Sequence, residues 1–157
     1  MEKWTIHRAS LEEVGLAYAI VKEYYEEARV VARDDREEFE RSYFCDDAGV
    51  WLATTERLVI GCIALRALPK FAESGEIKRL YVKPAWRGFG IAEALLRELE
   101  KFAAAKGYRR LYLDTASDML AAQRFYRQHG YERCERYNTN PQASIFMRKL
   151  LAAPEKL

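Results

Sequence analysis

The run RGFGIA, residues 87–92, joins an apolar, strand-like stretch to the start of an amphipathic helix. Gly88 and Gly90 lack the Cβ atoms that would keep a ligand away from the backbone. The amides of residues 87–92 fall in the first turn of the predicted helix, where backbone N–H groups have no partner within the helix. Together with the helix dipole they predict a phosphate-binding site, to which Arg87 and the nearby Lys83 add mobile positive charge.

The spacing of the glycines excludes two common nucleotide-binding motifs. A Walker loop requires Lys and then Ser or Thr after its last glycine, and neither follows Gly90. The dinucleotide fingerprint requires a third glycine where this chain has Glu93. A tight turn between a strand and a helix also fits the Gly-x-Gly pair, so the pair alone does not identify the ligand.

No other motif along the sequence indicates nucleophilic catalysis or metal binding. His7 and His129 are far apart and lack the Cys or carboxylate spacing of a metal site. The cysteines, Cys45, Cys62 and Cys134, match neither a disulfide framework nor a zinc motif. We therefore expect no bound metal, and reduced thiols in a cytoplasmic protein.

Length and composition indicate one ordinary globular domain. The chain has 157 residues, 50% of them hydrophobic and 32% charged, and we expect a single domain at 1–150 followed by a tail at 151–157. A net charge of +2 creates no global field that would attract nucleic acid or a membrane surface. The N-terminus shows no apolar signal core, and no run is long enough to span a bilayer. We expect neither nucleic acid nor a membrane as a partner.

The apolar pattern predicts the elements that must position the glycine junction. We predict strands at 3–8, 49–56, 57–68, 75–82, 109–115, 131–137 and 143–150. We predict helices from the capping box of Ser10 and Glu13 to about Val30, from Asp34 or Asp35 to about Phe44, from about Phe89 to Gly107, and from Met119 to His129. This order favours an α/β fold with one mixed sheet of about seven strands flanked by about four helices. Residues 75–114 should form a right-handed parallel crossover.

Two separate runs resemble the GNAT superfamily of acyl-CoA-dependent N-acetyltransferases. Residues 87–92 fit its Arg/Gln-x-x-Gly-x-Gly/Ala motif, and EIKRLYVKPAWRGFGIAEALL, residues 76–96, looks like its central strand, loop and helix. AAQRFYRQHGYE, residues 121–132, resembles its second signature, an Ala-x-x-Phe-Tyr helix followed by Gly and an aromatic residue. The order of elements also agrees, so the resemblance covers nearly the whole chain.

The resemblance implies acetyl-CoA as the cosubstrate. Its pyrophosphate would be held by the loop amides of Arg87, Gly88, Phe89, Gly90, Ile91 and Ala92. The pantetheine arm would pair with the backbone of Leu80, Tyr81 and Val82, and the amide of Leu80 would face the thioester carbonyl. Where the family often has an asparagine that touches the pantetheine, this chain has Met119.

The resemblance also implies two catalytic residues. Tyr126 is similar to the family's general acid, which protonates the departing thiolate, and Glu76 to its base, which acts directly or through water. A core tyrosine and a solvated glutamate are the structural alternatives for these two residues. Lys78 and Arg79 fit either a basic patch toward phosphates or alternating exposed positions of a strand, and we favour the second interpretation.

The implied function is transfer of an acetyl group to a primary amine of a small molecule or peptide. A catalytically silent acyl-CoA sensor of the same fold, a nucleotide-binding protein of another fold and an interaction protein stay open as alternatives. Free amino acids, polyamines, aminoglycosides, peptide N-termini and protein lysines all fit as acceptors. Because relatives in this family often pair through sheet edges or terminal strands, a homodimer is a further expectation.

Overall fold

The computed structural model of the chain describes residues 2–29, 31 and 34–152. Its strands are β1 (Thr5–Arg8), β2 (Gly49–Thr54), β3 (Val59–Ala67), β4 (Ser74–Val82), β5 (Arg110–Thr115), β6 (Glu132–Arg133) and β7 (Ile145–Leu150). The α-helices in this part of the chain are α1 (Val14–Ala28), α2 (Arg36–Tyr43), α3 (Ile91–Ala105) and α4 (Leu120–Gln128). All strands join one sheet in the order β1-β2-β3-β4-β5-β7-β6. The predicted mixed sheet with flanking helices is confirmed.

The parallel pairing of strands predicted for residues 75–114 is present. β2 and β3 form a hairpin, β4 and β5 are a parallel pair connected through α3, and the other neighbours are antiparallel. The strand predicted at 131–137 is far shorter, because β6 keeps two residues beside β7. The proposed helix end at Val30 and the tail beyond residue 152 lie outside the described residues, whereas α1 itself ends at Ala28.

Side chains near the helix ends explain where the helices begin and stop. The backbone N–H of Ser10 donates to the Glu13 carboxylate at 3.0 Å, one half of the predicted capping box. The Asp35 carboxylate caps α2 by accepting from the Glu38 amide at 2.9 Å. α3 stops just before Gly107, whose φ of 91° lies in the left-handed region.

Alternate residues of the sheet pack against two layers of helices. On β2, Val50 and Leu52 pack with α1 and α2, whereas Trp51 and Ala53 pack with α3. α4 joins the layer of α3 through the buried ring of Tyr126. None of the helices in the described ranges is both long and apolar enough to cross a membrane.

β4 separates from β5 part-way along its length. The parallel ladder joins residues 74–76 to residues 110–112 and ends there. The remainder of β4 therefore has backbone groups on this side that no strand covers. A parallel sheet that opens in this way offers its strand as an edge to a ligand.

A β-bulge lies in the open half of β4. The register against β3 slips between Lys78 and Tyr81, so that Arg79 and Leu80 together face Ile63. Arg79 takes a φ of 61°, a left-handed value that is uncommon for a residue with a side chain. The bulge changes which face of the sheet each following side chain reaches.

Candidate active site

A cleft of about 530 Å³ lies beside the open half of β4. The loop after β4, the first turn of α3, the start of α4 and the end of α1 form its other walls. Of the residues predicted to hold acetyl-CoA, those at 80–82, 87–88 and 90–92 line this cleft. Phe89 is half exposed and lies outside the lining. The structure therefore brings two separate predicted segments together at one site.

The amides at the start of α3 are free, as the glycine junction predicted. None of the backbone N–H groups of residues 88–93 donates to another described residue, and the helical ladder begins with Ala94 donating to Gly90 at 3.1 Å. The Arg87 amide differs, because it donates to the Pro84 carbonyl at 3.3 Å and closes a single-turn helix. The predicted anion site thus starts at Gly88, one residue later than expected, and extends to Glu93.

Gly88 and Gly90 are required by their backbone conformation. Their φ values are 85° and 83°, in the left-handed region where a side chain is strained. A Cβ placed on either residue would meet no atom within 4 Å. The glycines therefore shape the loop, and the space beside them stays open for a ligand.

The side chain of Arg87 is held in place, which corrects the expectation of mobile charge. Its Nε donates to the Val82 carbonyl at 2.8 Å, and its Nη2 lies 2.7 Å from the Glu27 carboxylate on α1. The ion pair lies at the mouth of the cleft, where both side chains are partly exposed. Arg87 thus fixes the strand end, and part of its charge is neutralised by Glu27.

Tyr126 lies at a small inner cavity of about 70 Å³, deeper than the cleft. Its ring packs edge-on against Phe125 and Tyr131, with ring centroids 5.3 Å apart in each pair. Its hydroxyl makes no hydrogen bond with the described part of the chain. Burial raises the pKa of Tyr126 above its ordinary value, so the phenol stays protonated at neutral pH. Tyr126 is therefore a core residue whose hydroxyl is still free at the inner cavity.

Glu76 is buried and fully engaged, which differs from the solvated alternative. Its Oε1 accepts from Arg66 at 3.0 Å, and its Oε2 accepts from the Tyr137 hydroxyl at 2.7 Å. Lys78 Nζ and Asn138 Nδ2 approach the same Oε2, at 3.4 Å and 3.3 Å. The Glu76 carboxylate is therefore held behind the site by four neighbouring side chains.

Asp114 on β5 forms the second anionic centre of this network. Lys78 Nζ lies 3.1 Å from Asp114 Oδ2, and Asn138 Nδ2 donates to the same oxygen at 2.6 Å. Burial would raise the pKa of Asp114, but the Lys78 charge and the hydrogen bonds from Asn138 and Asn140 outweigh it and hold the pKa below its ordinary value. Asp114 therefore stays ionised and faces the inner cavity.

A polar cavity of about 450 Å³ lies on the side of β4 that faces α2. Its lining includes Lys78, Arg79, Tyr25 of α1 and Asn138 of the loop before β7. Lys78 and Arg79 are both largely buried, with 8% and 15% of their side chains exposed, so their interpretation as exposed strand positions is wrong. Strict alternation would put these neighbours on opposite faces, and only the bulge brings both to this cavity.

The inner cavity connects the cleft with the polar cavity. It shares Tyr24, Leu80, Met119 and Ala122 with the cleft, and it shares Lys78 and Arg79 with the polar cavity. A molecule in the cleft and a second one in the polar cavity would meet near Tyr126. This arrangement suits transfer of a small group between two ligands.

Sequence reasoning did not identify the residues that form this polar side. Tyr137 and Asn138 are distant in sequence from Glu76 and reach it through the loop before β7. Asp114 joins the same network through Asn138 and Lys78. The single visible signal was the carboxylate of Asp114, directly after the apolar run of residues 111–113. Among residues 2–29, 31 and 34–152, no group of His, Cys, Asp and Glu side chains has the arrangement of a metal site.

The sequence profile of the acetyltransferase (GNAT) family matches residues 16–131. The chain belongs to this family. An uncharacterized N-acetyltransferase of Schizosaccharomyces pombe is 33% identical over 93 residues, which are 58% of this chain and 55% of that protein. This GNAT chain spans about half the length of the curated relatives it matches.

Solved structures of the family share the fold. A GNAT acetyltransferase from Staphylococcus aureus superposes with a TM-score of 0.82 at 18% identity, over 96% of this chain and 100% of that one. The PaiA N-acetyltransferase from Thermoplasma acidophilum, solved in complex with coenzyme A, superposes with a TM-score of 0.73 at 21% identity, over 94% of this chain and 99% of that one. The architecture expected from the two sequence signatures is confirmed.

Proposed function

We propose that this protein is an acetyl-CoA-dependent N-acetyltransferase that acts on a primary amine. The observation that supports it most is the row of free amides at residues 88–93, beside a cleft that runs along open β4. Free amides at a helix N-terminus suit the pyrophosphate of coenzyme A. Membership of the GNAT family and a neighbour that contains coenzyme A support the same ligand.

The open half of β4 would position the thioester. Leu80, Tyr81 and Val82 line the cleft, and Leu80 also reaches the inner cavity beside Tyr126. Leu80 has no ladder partner on β5, and the bulge interrupts its pairing with β3. Its amide is therefore our candidate for stabilising negative charge on the carbonyl oxygen. The Val82 carbonyl already accepts from Arg87, so the pantetheine would compete with that contact.

The reaction we propose is a direct transfer without a covalent enzyme intermediate. The neutral amine attacks the thioester carbonyl carbon, a C–N bond forms, and the C–S bond breaks. The amine nitrogen loses one proton, and the departing sulfur gains one, so the products are an acetylated amine and free thiol. Tyr126 is the candidate donor to sulfur, because its hydroxyl is free and protonated.

Glu76 stays our candidate for assisting removal of the amine proton. Its carboxylate lies behind Lys78 and Asn138, which line the polar cavity. A proton would therefore reach it through water or a bridging group. Asp114, unlike Glu76, lines the inner cavity itself, where its carboxylate would face an incoming ammonium group.

Ligand binding is the first test of the proposal. Thermal unfolding with coenzyme A, ATP and NAD should show a clear rise in Tm with coenzyme A alone. Stabilisation by ATP alone would favour a nucleotide-binding protein and contradict the proposal. The second test is release of free thiol from acetyl-CoA across a broad library of amines. Tight coenzyme A binding without turnover on any amine would instead favour the silent sensor.

A homodimer stays a prediction. β1 and β6 are the edge strands of the sheet, and relatives in this family often pair through such edges. Sedimentation equilibrium of the purified chain would give the oligomeric state directly.

A further inference from the structure

The polar cavity contains more cationic than anionic side chains in its lining. Four cationic residues reach it: Arg41, Arg66, Lys78 and Arg79. Two carboxylates, Asp34 and Glu38, belong to the same lining.

Two of these cations have anionic partners at short distances. Lys78 lies between Glu76 and Asp114, at 3.4 Å and 3.1 Å. Arg66 lies 3.0 Å from the same glutamate. Their charges are compensated within the protein, so neither leaves much binding capacity for a ligand.

Arg79 is different, because its guanidinium is buried without a close acceptor. Its nearest carboxylate is Asp34, at 4.0 Å, and that oxygen already accepts from the Tyr25 hydroxyl at 2.8 Å. Its Nε is fully buried and has no hydrogen-bond partner among the described residues. The guanidinium carbon lies 5.0 Å from the centroid of the Tyr25 ring, which fixes its orientation. The Nη groups donate no hydrogen bond to the described residues either, and they are the donors that a ligand in the polar cavity can reach. A largely buried arginine with such free donors is costly unless a ligand supplies the acceptor.

The backbone is distorted where it carries Arg79. Its φ of 61° costs free energy for any residue with a side chain, and the bulge is what turns Arg79 to the same cavity as its neighbour Lys78. A regular strand would direct Arg79 to the opposite face. The bulge thus delivers a guanidinium without a hydrogen-bonded acceptor to the polar cavity, beside the inner cavity where transfer would occur.

We propose that the acceptor is a small amine that also carries a carboxylate, and that Arg79 binds this carboxylate. The inference rests on the proposed acetyltransferase function and names its substrate class. The planar guanidinium matches a carboxylate with two parallel hydrogen bonds. The amine of the same molecule then points to the inner cavity, where Asp114 attracts its ammonium form and Tyr126 faces the departing sulfur. Amino acids and short peptides with a nearby carboxylate have this chemistry.

Paired acceptors test the carboxylate directly. Thiol release from acetyl-CoA is measured with a set of amino acids and with the corresponding amino acid amides, which keep the amine and lose the negative charge. The amine of the amide is less basic and is more often neutral at pH 7, so a site without carboxylate recognition would prefer the amide. We expect kcat/KM to be higher for the acids by about tenfold or more. Equal or better turnover of the amides, or of polyamines, would overturn the proposal.

Variants of Arg79 provide the second measurement. Arg79→Gln should raise KM for the acid substrates about 10- to 100-fold and leave the KM of any slowly used amide unchanged. Arg79→Lys keeps the positive charge but lacks the planar guanidinium, so its KM for the acid substrates should lie between those of wild type and Arg79→Gln. The control is Arg57→Gln, which removes an exposed arginine in the turn between β2 and β3. If Arg79→Gln impairs turnover of acids and amides to the same extent, Arg79 has a structural role and does not bind the carboxylate.

Binding of products separates failure of this inference from failure of the proposed function. Calorimetric titration of N-acetyl amino acids and their amides into protein saturated with coenzyme A requires no turnover. If no amine is acetylated but the acids still bind more tightly in an Arg79-dependent way, the carboxylate site stands and the enzyme assignment falls. If amines are acetylated but acids and amides bind alike, the function stands and the carboxylate site falls.

Discussion

Lys78 on β4 and Asp114 on β5 form an ion pair of 3.1 Å just beyond the end of the ladder that their strands share. Each residue lies two positions beyond the last backbone pair, Glu76 and Tyr112. Both side chains are more than nine-tenths buried, with 8% and 7% exposed. An ion pair therefore connects β4 and β5 where their backbone hydrogen bonding stops. It marks the inner end of the gap between the two strands.

Asp114→Asn should destabilise the fold substantially. The substitution leaves the buried Lys78 ammonium with Glu76 alone, at 3.4 Å. We expect the free energy of unfolding to fall by about 3 kcal/mol, because removing one partner of a buried ion pair leaves charge uncompensated. Urea unfolding at neutral pH measures it. Asp118→Asn, at an exposed carboxylate before α4, is the matched control and should cost less than about 0.5 kcal/mol. A cost equal to the control's would show that the pair does not stabilise the opening.

The contribution of Asp114 should also depend on pH in a defined direction. Its folded-state pKa is lower than its ordinary value of 3.8: burial opposes this shift, and the Lys78 charge with the hydrogen bonds from Asn138 and Asn140 outweighs burial. A depressed carboxyl pKa stabilises the fold above the unfolded pKa, and this stabilisation is lost as pH falls through the folded value. The difference in stability between wild type and Asp114→Asn should be constant above pH ~5 and should shrink below pH ~4. A difference that grows on acidification would contradict this assignment.

Gly90 and Gly107 allow a matched test of the anion site, because they flank α3 with nearly the same conformation. Their φ values are 83° and 91°, and a Cβ on either meets no atom within 4 Å. Gly90→Ala and Gly107→Ala should each lower stability by about 1 kcal/mol, the cost of a left-handed side-chain residue. Only Gly90→Ala should weaken coenzyme A binding, roughly tenfold, because it disturbs the free amides.

Calorimetric titration of coenzyme A into both glycine variants gives the comparison. Gly90→Asn should recover part of the affinity, since asparagine tolerates the left-handed region better than alanine. Equal affinity of the Gly90→Ala and Gly107→Ala variants would mean that the loop amides do not bind the cosubstrate.

The cosubstrate side of the site could be predicted because it depends on local backbone geometry. A strand end, two glycines and a helix start lie within a dozen residues, and free amides follow from the helix start itself. The one local error concerns Arg87, whose amide is used by the turn at Pro84. Its side chain is fixed by Glu27, a contact across 60 residues that no local pattern contains.

The polar side could not be predicted because it depends on sheet register and long-range contacts. Glu76 meets Tyr137 and Asn138 through a loop that begins more than 50 residues later. The bulge at Arg79 has no glycine or proline to mark it in the sequence, yet it reverses the face that this side chain reaches. Alternation rules assume an unbroken ladder, so they fail where the strand is distorted.

Glu76→Gln tests whether this buried carboxylate acts in proton transfer. If Glu76 assists deprotonation, kcat should fall about 100-fold with the KM for acetyl-CoA unchanged. Glu100→Gln is the matched control, because Glu100 also accepts from a tyrosine hydroxyl at 2.7 Å and from a lysine at 3.0 Å, from Tyr131 and Lys149. Both variants should lose stability, because Glu76→Gln leaves Arg66 without its carboxylate partner and Glu100→Gln does the same to Lys149. Loss of stability without a fall in kcat at Glu76→Gln would identify a purely structural anchor.

Tyr126→Phe tests the proposed donor to sulfur. The variant keeps the packing against Phe125 and Tyr131 and removes only the hydroxyl, so we expect a fall in kcat of about 100-fold or more with little change in Tm. Tyr131→Phe is the control. Its hydroxyl donates to Glu100 at 2.7 Å and is not part of the cavity lining, so it should lose about 1 kcal/mol of stability and keep its kcat.

The pH profile of the two enzymes completes this test. A general acid must be protonated, so its limb of the profile falls as pH rises through its pKa. Burial raises the pKa of Tyr126 above its ordinary value of 10, and wild-type kcat/KM should therefore rise as the amine loses its proton and show no descending limb up to at least pH ~9. Tyr126→Phe should lower kcat/KM across this range without moving the rising limb. A wild-type profile that already descends between pH ~7 and ~9 would mean that a group other than Tyr126 donates the proton.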